Sequence, residues 1–200
     1  MANYITIDGG TTNTRVSLIC NNAILATKKI SIGVGQKDIV KLKKAIKTVI
    51  EEILSENNLG EKAIERILAS GMITSEYGIC NLPHIIVPAG IEELHNEMYD
   101  AVIDDISEIP FVFMRGVKKE GTDLDETDVM RGEETELMGI LRTYKDGCLY
   151  VLPGSHSKHI SVDGYDRIAD FRTMMTGELF AAVMQHTILR DTATFEHNEI

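Results

Sequence analysis

Two hundred residues suffice for one ordinary domain or two small ones, and 44% of them are hydrophobic, so a sizeable core is within reach. A net charge of −11 argues against nucleic acid, whose phosphate backbone is bound by concentrated Lys and Arg, and makes any anionic ligand depend on local donors inside a cleft. No apolar stretch approaches the roughly 20 residues of a membrane span, and Met1 to Tyr4 leads into a strand without a basic, apolar leader layout, so a cytoplasmic address and no membrane partner are expected.

The first predicted elements are the apolar runs Tyr4 to Ile7 and Val16 to Cys20, separated by Asp8-Gly9-Gly10-Thr11-Thr12-Asn13-Thr14-Arg15. The adjacent glycines admit an oxyanion close to the backbone, and Thr11, Thr12 and Asn13 add donors to the N–H groups of the turn. Asp8 can hold a hydrated divalent cation. The segment is therefore a candidate phosphate cradle. It is no Walker loop, because a second strand follows where that motif needs Lys-Ser/Thr and a helix. A plain hairpin with Thr and Asn chosen for turn chemistry would use the same residues.

Ala23 to Ser31 completes an antiparallel meander. Ile39, Leu42, Ile46, Val49, Ile50 and Ile53 then recur at helical spacing, with Asn57, Asn58 and Gly60 as the stop. A short strand from Arg66 to Ala69 runs into Ser70-Gly71-Met72 and on to Thr74 and Ser75. A loop at the carboxyl edge of a sheet suits a ligand contact, and a plain turn reads equally well. Ile85 to Val87 is expected as a strand, Ile91 to Ile106 as a helix, and Pro110 to Met114 as a strand. The acidic stretch from Arg115 to Val129, with Asp123, Asp125, Glu126 and Asp128, reads as a long solvated loop or a lid rather than a metal site.

A helix is expected from near Gly132 to Tyr144. A second hairpin follows, with strands Cys148 to Leu152 and Lys158 to Val162 around Pro153-Gly154-Ser155-His156-Ser157. Asp163-Gly164 turns into a strand from Arg167 to Phe171, and Thr176-Gly177-Glu178 opens a helix to about Leu189. The whole reads as a mixed α/β sheet structure with helices on its faces. Two strand-turn-strand units with Gly-plus-hydroxyl turns suggest duplicated domains whose turns face each other across a cleft. His156 and His159, three apart on a strand and turn, cannot share a face, so a zinc pair is not expected, and His156 suits a phosphate contact or turn packing. Cys20, Cys80 and Cys148 sit in apolar runs and read as reduced core thiols. Met72, Met130, Met138, Met174 and Met175 read as core or cleft packing.

Twin phosphate hairpins flanking a cleft resemble the sugar kinase, hexokinase, heat-shock-protein-70 and actin superfamily. Asp8 to Arg15, VMRGEETELMG at 129 to 139, LYVLPGSHSKHISV at 149 to 162 and DFRTMMTGELF at 170 to 180 together resemble the 2-dehydro-3-deoxygalactonokinase family. That resemblance implies ribonuclease-H-like, actin/hexokinase-type α/β domains. The first would be complete over residues 1–145, and the second, over 146–200, only partly present, since members continue well beyond this length. It implies transfer of the ATP γ-phosphate to the 6-hydroxyl of 2-dehydro-3-deoxy-D-galactonate, with ATP and Mg²⁺ as cofactors and the sugar acid and ATP as small-molecule partners. Homo-oligomerisation and the epimer preference stay open.

Phosphoryl transfer asks chiefly for placement and charge neutralisation. Under this resemblance, Asp8 through the metal's water, the turn from Gly9 to Asn13, and Gly154, Ser155, His156 and Ser157 hold the phosphates. Arg15 and Lys158 are candidates for charge neutralisation, an ion pair and a surface lysine being the plainer alternatives. Ser70, Gly71, Met72 and Thr74 are candidates for acceptor contact, and Arg131 or Arg172 for the substrate carboxylate. Glu133 and Glu134 suit a helix start, where the dipole favours negative charge. Their Gly-Glu-Glu context also resembles the catalytic-glutamate segment of exopolyphosphatases, which makes Glu134 the first candidate for general base and Glu133 the second. A phosphoanhydride hydrolase of exopolyphosphatase type and a non-catalytic nucleotide-binding regulator are the competing expectations.

Overall fold

The computed structural model describes residues 2–123, 126–144 and 149–191. In chain order it comprises β1 (Asn3–Gly9), β2 (Thr14–Cys20), β3 (Ala23–Ile30), α1 (Ile39–Glu56), β4 (Arg66–Gly71), β5 (Ile85–Ile86), α2 (Ile91–Asn96), β6 (Tyr99–Ile103) and β7 (Ser107–Phe113). There follow β8 (Val117–Lys119), β9 (Asp128–Met130), α3 (Glu133–Leu141), β10 (Leu149–Leu152), β11 (Ser157–Val162), β12 (Ile168–Met174) and α4 (Thr176–His186).

The main sheet has the order β3-β2-β1-β4-β7-β6. Strands β1, β4 and β7 run parallel, while the β1–β2–β3 meander and the β6–β7 pair are antiparallel. Ile5 and Ile7 of β1, Val16 and Leu18 of β2, Ile67 and Ala69 of β4, and Phe111 and Phe113 of β7 point to one face and are fully buried. Helix α1 covers that face with Leu42, Ile46, Ile50 and Ile53, the apolar stripe read from the sequence. Its start is capped by Asp38, which accepts from Lys41 N at 3.0 Å, and it ends at Asn57, whose side chain donates to Ile53 O at 2.7 Å.

A second core gathers Ala89, Leu94, Val117, Met130, Leu137, Leu141, Leu152, Ile160, Ile168 and Phe171. Two small sheets, β5-β8-β9 and β10-β11-β12, frame it. They are tied together by paired Ala89 and Ile168, by Lys119 Nζ donating to Asp170 at 2.8 Å, and by Thr173, whose N–H and hydroxyl donate to Asp128 at 2.6 and 2.8 Å. This core draws on residues from both sides of the expected boundary at 145/146.

Two expected elements differ. The helix over Ile91 to Ile106 stops at Asn96, and Tyr99–Ile103 pairs antiparallel with β7 instead. Its apolar residues fit a helical spacing, yet Asp104-Asp105 provides a tight turn, and pairing at the sheet edge outweighs propensity. The acidic loop from Arg115 to Val129 contains β8 and β9, and its Asp128 accepts from Thr173 rather than facing solvent as part of a lid. Elsewhere the expected strands are found one to three residues longer or shorter, and α4 ends at His186 before a separate turn at Ile188–Asp191. Cys148 and Asp125 lie outside the described residues. Cys20 and Cys80 are half-buried free thiols. Among the described residues no helix is long and apolar enough to cross a membrane, and no group of three or more His, Cys, Asp or Glu could hold a metal ion.

Candidate active site

The β1–β2 turn is closed by Gly10 N donating to Asn13 O at 2.9 Å. Two of its carbonyls are occupied from behind: Val34 N donates to Gly10 O at 3.0 Å and Gly35 N to Thr11 O at 2.8 Å. A side chain at Gly33 would stand 2.4 Å from Thr11 O, so a glycine is needed for this strap to seat. With the Gly10 and Thr11 carbonyl oxygens tied back, the turn can offer N–H groups other than that of Gly10 to an anion. The strap Gly33-Val34-Gly35 was not anticipated from the sequence. Its two glycines after β3 were the available signal, but only the fold shows what they lie against.

The β10–β11 turn is backed in the same way by the start of α4. Glu178 N donates to Ser155 O at 3.1 Å, and a side chain on Gly177 would stand 2.6 Å from Gly154 O. Ser157 is buried and bonded to the Thr176 hydroxyl, while His156 Nε2 lies 2.5 Å from Glu178 Oε2, so both side chains already have protein partners.

The two turns border one cleft of about 710 Å³. Its walls include Asp8, Gly9, Gly10 and Thr11 from the first turn, Gly154, Ser155, His156 and Lys158 from the second, and Met72, His84, Arg131 and Glu133 between them. Thr12, Asn13 and Arg15 face a smaller hollow of about 200 Å³ on the outer side of the first turn, which Asp8 and Gly10 also border. Arg15 lies 3.9 Å from Asp8, both side chains well exposed.

Three glycines bring the elements under the cleft into contact. A side chain on Gly9 would stand 2.7 Å from Ile73 Cβ, one on Gly71 2.7 Å from Gly9 O, and one on Gly132 3.3 Å from Gly71 Cα. Gly71 and Gly132 also have φ of 82° and 112°, where L side chains are strained. The loop after β4 and the start of α3 thus press against the floor of the first turn.

Gly132 opens α3, and its N–H donates to both oxygens of Glu134 at 2.9 and 2.8 Å. Glu134 is wholly buried, and burial pushes its carboxyl up to about 7 against these hydrogen bonds. It braces the helix start and does not reach the cleft wall. Glu133 does line the cleft; burial raises its pKa as well, while the nearby Lys158 and the Arg131 N–H at 3.1 Å pull it back down. Lys158 is buried rather than a surface lysine, donating to Val129 O at 3.1 Å and Thr173 Oγ1 at 2.7 Å.

Arg131 is clamped. Its Nη1 donates to Thr74 Oγ1 at 2.7 Å and its Nη2 to Leu82 O at 2.6 Å, with His84 Nδ1 3.4 Å away. Thr74, fully buried, in turn donates to Gly71 O at 3.1 Å. Arg172 is not brought to the cleft: it sits exposed on β12 opposite His159. Ser70 lies beside Asp8 in the β1–β4 register and is absent from the cleft walls. Tyr77, Asn81, His84 and Glu136 do line the cleft and were not anticipated. The segment carrying the first three has no motif, and only its folding back on the loop after β4, with Leu82 N donating to Thr74 O at 3.1 Å, puts it there.

Burial of Glu134 has a measurable consequence. Its pKa rises from about 4.5 unfolded to about 7 folded, so the native state holds an extra proton between these values and stability falls as pH rises through that window. The fall attributable to this group has a ceiling of about 3 kcal/mol. Denaturant titrations from pH 4 to 8 are expected to show a smaller decline for Glu134→Gln than for the wild type; parallel curves would show that this carboxyl titrates in the folded protein where it does in the unfolded chain.

A family model described as 2-keto-3-deoxy-galactonokinase matches residues 8–199. The 2-dehydro-3-deoxygalactonokinase of Escherichia coli (strain K12) is 32% identical over 188 residues, which cover 94% of this chain and 59% of that protein. A probable 2-dehydro-3-deoxygalactonokinase of Rhizobium meliloti (strain 1021) is 32% identical over 193 residues, covering 93% of this chain and 58% of that protein. The crystal structure of a Sinorhizobium meliloti protein assigned to the same kinase superposes with a TM-score of 0.73 at 27% identity, over 95% of this chain and 59% of its own. The mixed α/β fold is therefore shared with that structure, and the chain spans less than two thirds of the length of the relatives it matches.

Proposed function

Because the chain belongs to the 2-keto-3-deoxy-galactonokinase family, we propose that it carries the phosphate-binding and acceptor-binding parts of an ATP-dependent sugar-acid kinase. The reaction is transfer of the γ-phosphate to the 6-hydroxyl of 2-dehydro-3-deoxy-D-galactonate, on actin/hexokinase-type domains with a ribonuclease-H-like main sheet. The observation that carries this reading is the convergence of two glycine turns, a carboxylate and an arginine on one cleft. We further propose a cytoplasmic protein whose partners are ATP and the sugar acid.

The first turn, with Gly9, Gly10 and Thr11, and the second, with Gly154 and Ser155, lay glycine backbone against the phosphates, the straps behind them fixing the shape of both turns while the Gly10 N–H stays on Asn13 O. Lys158 adds a cation between the second turn and Glu133. Glu133, the member of the acidic pair on the cleft wall, takes the proton of the attacking hydroxyl. Glu134 holds the Gly132 N–H and so fixes where Glu133 stands. This exchanges the order expected from the sequence, because a base must reach its proton. Asp8 is an exposed carboxylate beside the first turn at the cleft edge, which fits Mg²⁺, an ion that keeps most of its waters and takes one or two carboxylates plus substrate phosphates. When bound there, the ion neutralises charge on the transferred phosphoryl group.

A coupled ADP-release assay on the purified protein against a panel of keto-deoxy sugar acids tests the reading. ADP release only when a sugar acid is present supports it. Phosphate release from ATP or polyphosphate without sugar acid would replace it by the hydrolase alternative, and nucleotide binding without turnover by the regulator.

A further inference from the structure

Beside Arg131 the cleft holds an imidazole that the phosphate chemistry leaves unused. His84 is half-buried on the cleft wall, and its Nδ1 faces Arg131 Nη2 at 3.4 Å. An arginine can only donate, so Nδ1 is the acceptor of this pair and the ring proton resides on Nε2, a donor. Burial and the cations of Arg131 and Lys118 hold the imidazolium down to about 4, which keeps this tautomer neutral at physiological pH.

The ring is held in place by backbone. Ile85 N donates to Gly116 O at 2.9 Å, fixing the residue next to His84. A side chain at Gly116 would stand 3.1 Å from His84 Cδ2 and 2.5 Å from Arg131 Cγ, so Gly116 is the shared floor on which both side chains rest. Arg131 has five N–H donors, of which Thr74, Leu82 and His84 engage three, leaving two for a ligand. The pair thus presents a guanidinium with spare donors next to one neutral N–H, in a protein of net charge −11 that otherwise repels anions.

Resting on the sugar-acid reading above, we propose that His84 is a specificity residue that donates from Nε2 to the 2-oxygen of the acceptor while Arg131 grips the adjacent carboxylate. In a 2-oxo acid those oxygens are on neighbouring carbons, which suits two donor groups on neighbouring side chains. A sugar acid without an oxygen at carbon 2 would leave the His84 donor buried and unpaired, which is how a site built to hydrogen-bond one group rejects an analogue lacking it.

The test is a substrate-by-mutation cycle on the purified protein, by calorimetry without nucleotide, with 2-dehydro-3-deoxy-D-galactonate and its 2-deoxy analogue as probes. His84→Ala is expected to weaken the 2-oxo acid by about 10-fold and leave the 2-deoxy analogue nearly unchanged. His84→Gln, whose amide can still donate, should recover part of the loss, and Arg131→Ala should weaken both acids. Equal losses on both probes, or none on either, would overturn the specificity role. Because a merely structural role moves both probes together, the difference between them is the deciding quantity. Should the wild type bind ATP but neither acid, the kinase reading itself falls and this role with it.

Discussion

Asp8→Asn is expected to abolish the proposed phosphoryl transfer while leaving the fold intact. The carboxylate stands at the end of β1 on the edge of both hollows around the first turn, and among the described residues its ion pair is the exposed contact with Arg15 at 3.9 Å. An exposed pair of that length contributes little to stability, so the loss should be of function alone. The amide keeps the shape and one acceptor oxygen but removes the negative charge that would orient a hydrated cation against the phosphates. Turnover measured across magnesium concentrations, with a melting curve beside it, checks this. Soluble protein turning over near the wild-type rate at saturating magnesium would sink the role given to Asp8.

The second large effect concerns the acidic pair. Glu133→Gln is expected to lower turnover by about 10² to 10⁴, the usual contribution of a general base, with little change in substrate affinity. Glu134→Gln should act chiefly on stability and on its pH dependence, since Glu134 is fully buried and its oxygens accept from Gly132 N. Single-turnover rates for the two variants, measured side by side, separate these roles. If Glu134→Gln is the crippled enzyme and Glu133→Gln turns over normally, the base is the buried residue, and α3 must open during the reaction to expose it.

Both effects depend on placements that local sequence reveals only in part. The turns, the meander and α1 are legible because their determinants are local. Asp8 to Arg15 and Pro153 to Ser157 carry their turn chemistry within a few residues, and the stripe from Leu42 to Ile53 carries its period with it. Alternation likewise marks β1 and β2, whose Ile5, Ile7, Val16 and Leu18 become the buried face. The family resemblance rests on the same short, contiguous stretches.

What was not legible are the contacts between segments far apart in the chain. Tyr99–Ile103 has an apolar spacing that suits a helix, and only the neighbouring β7 makes it a strand. Of the two arginines, Arg131 and Arg172, sequence offers no basis for choice, because each lies in one of the stretches that carry the resemblance; the clamp on Thr74 and Leu82 is what brings Arg131 to the cleft. Glu133 and Glu134 are adjacent on one helix, so roughly 100° of helical rotation separates a side chain on the cleft wall from one buried beneath it. Gly132, where an added side chain would stand 3.3 Å from Gly71 Cα, seats the start of that helix against the loop after β4. By itself the sequence determined the two glycine-and-hydroxyl turns, the α/β class and the family, because these are written in local patterns of glycine, hydroxyl and apolar residues. Tertiary structure alone decided which carboxylate faces the cleft, which arginine joins it, and that His84 stands beside that arginine, because burial and the approach of distant backbones are properties of packing.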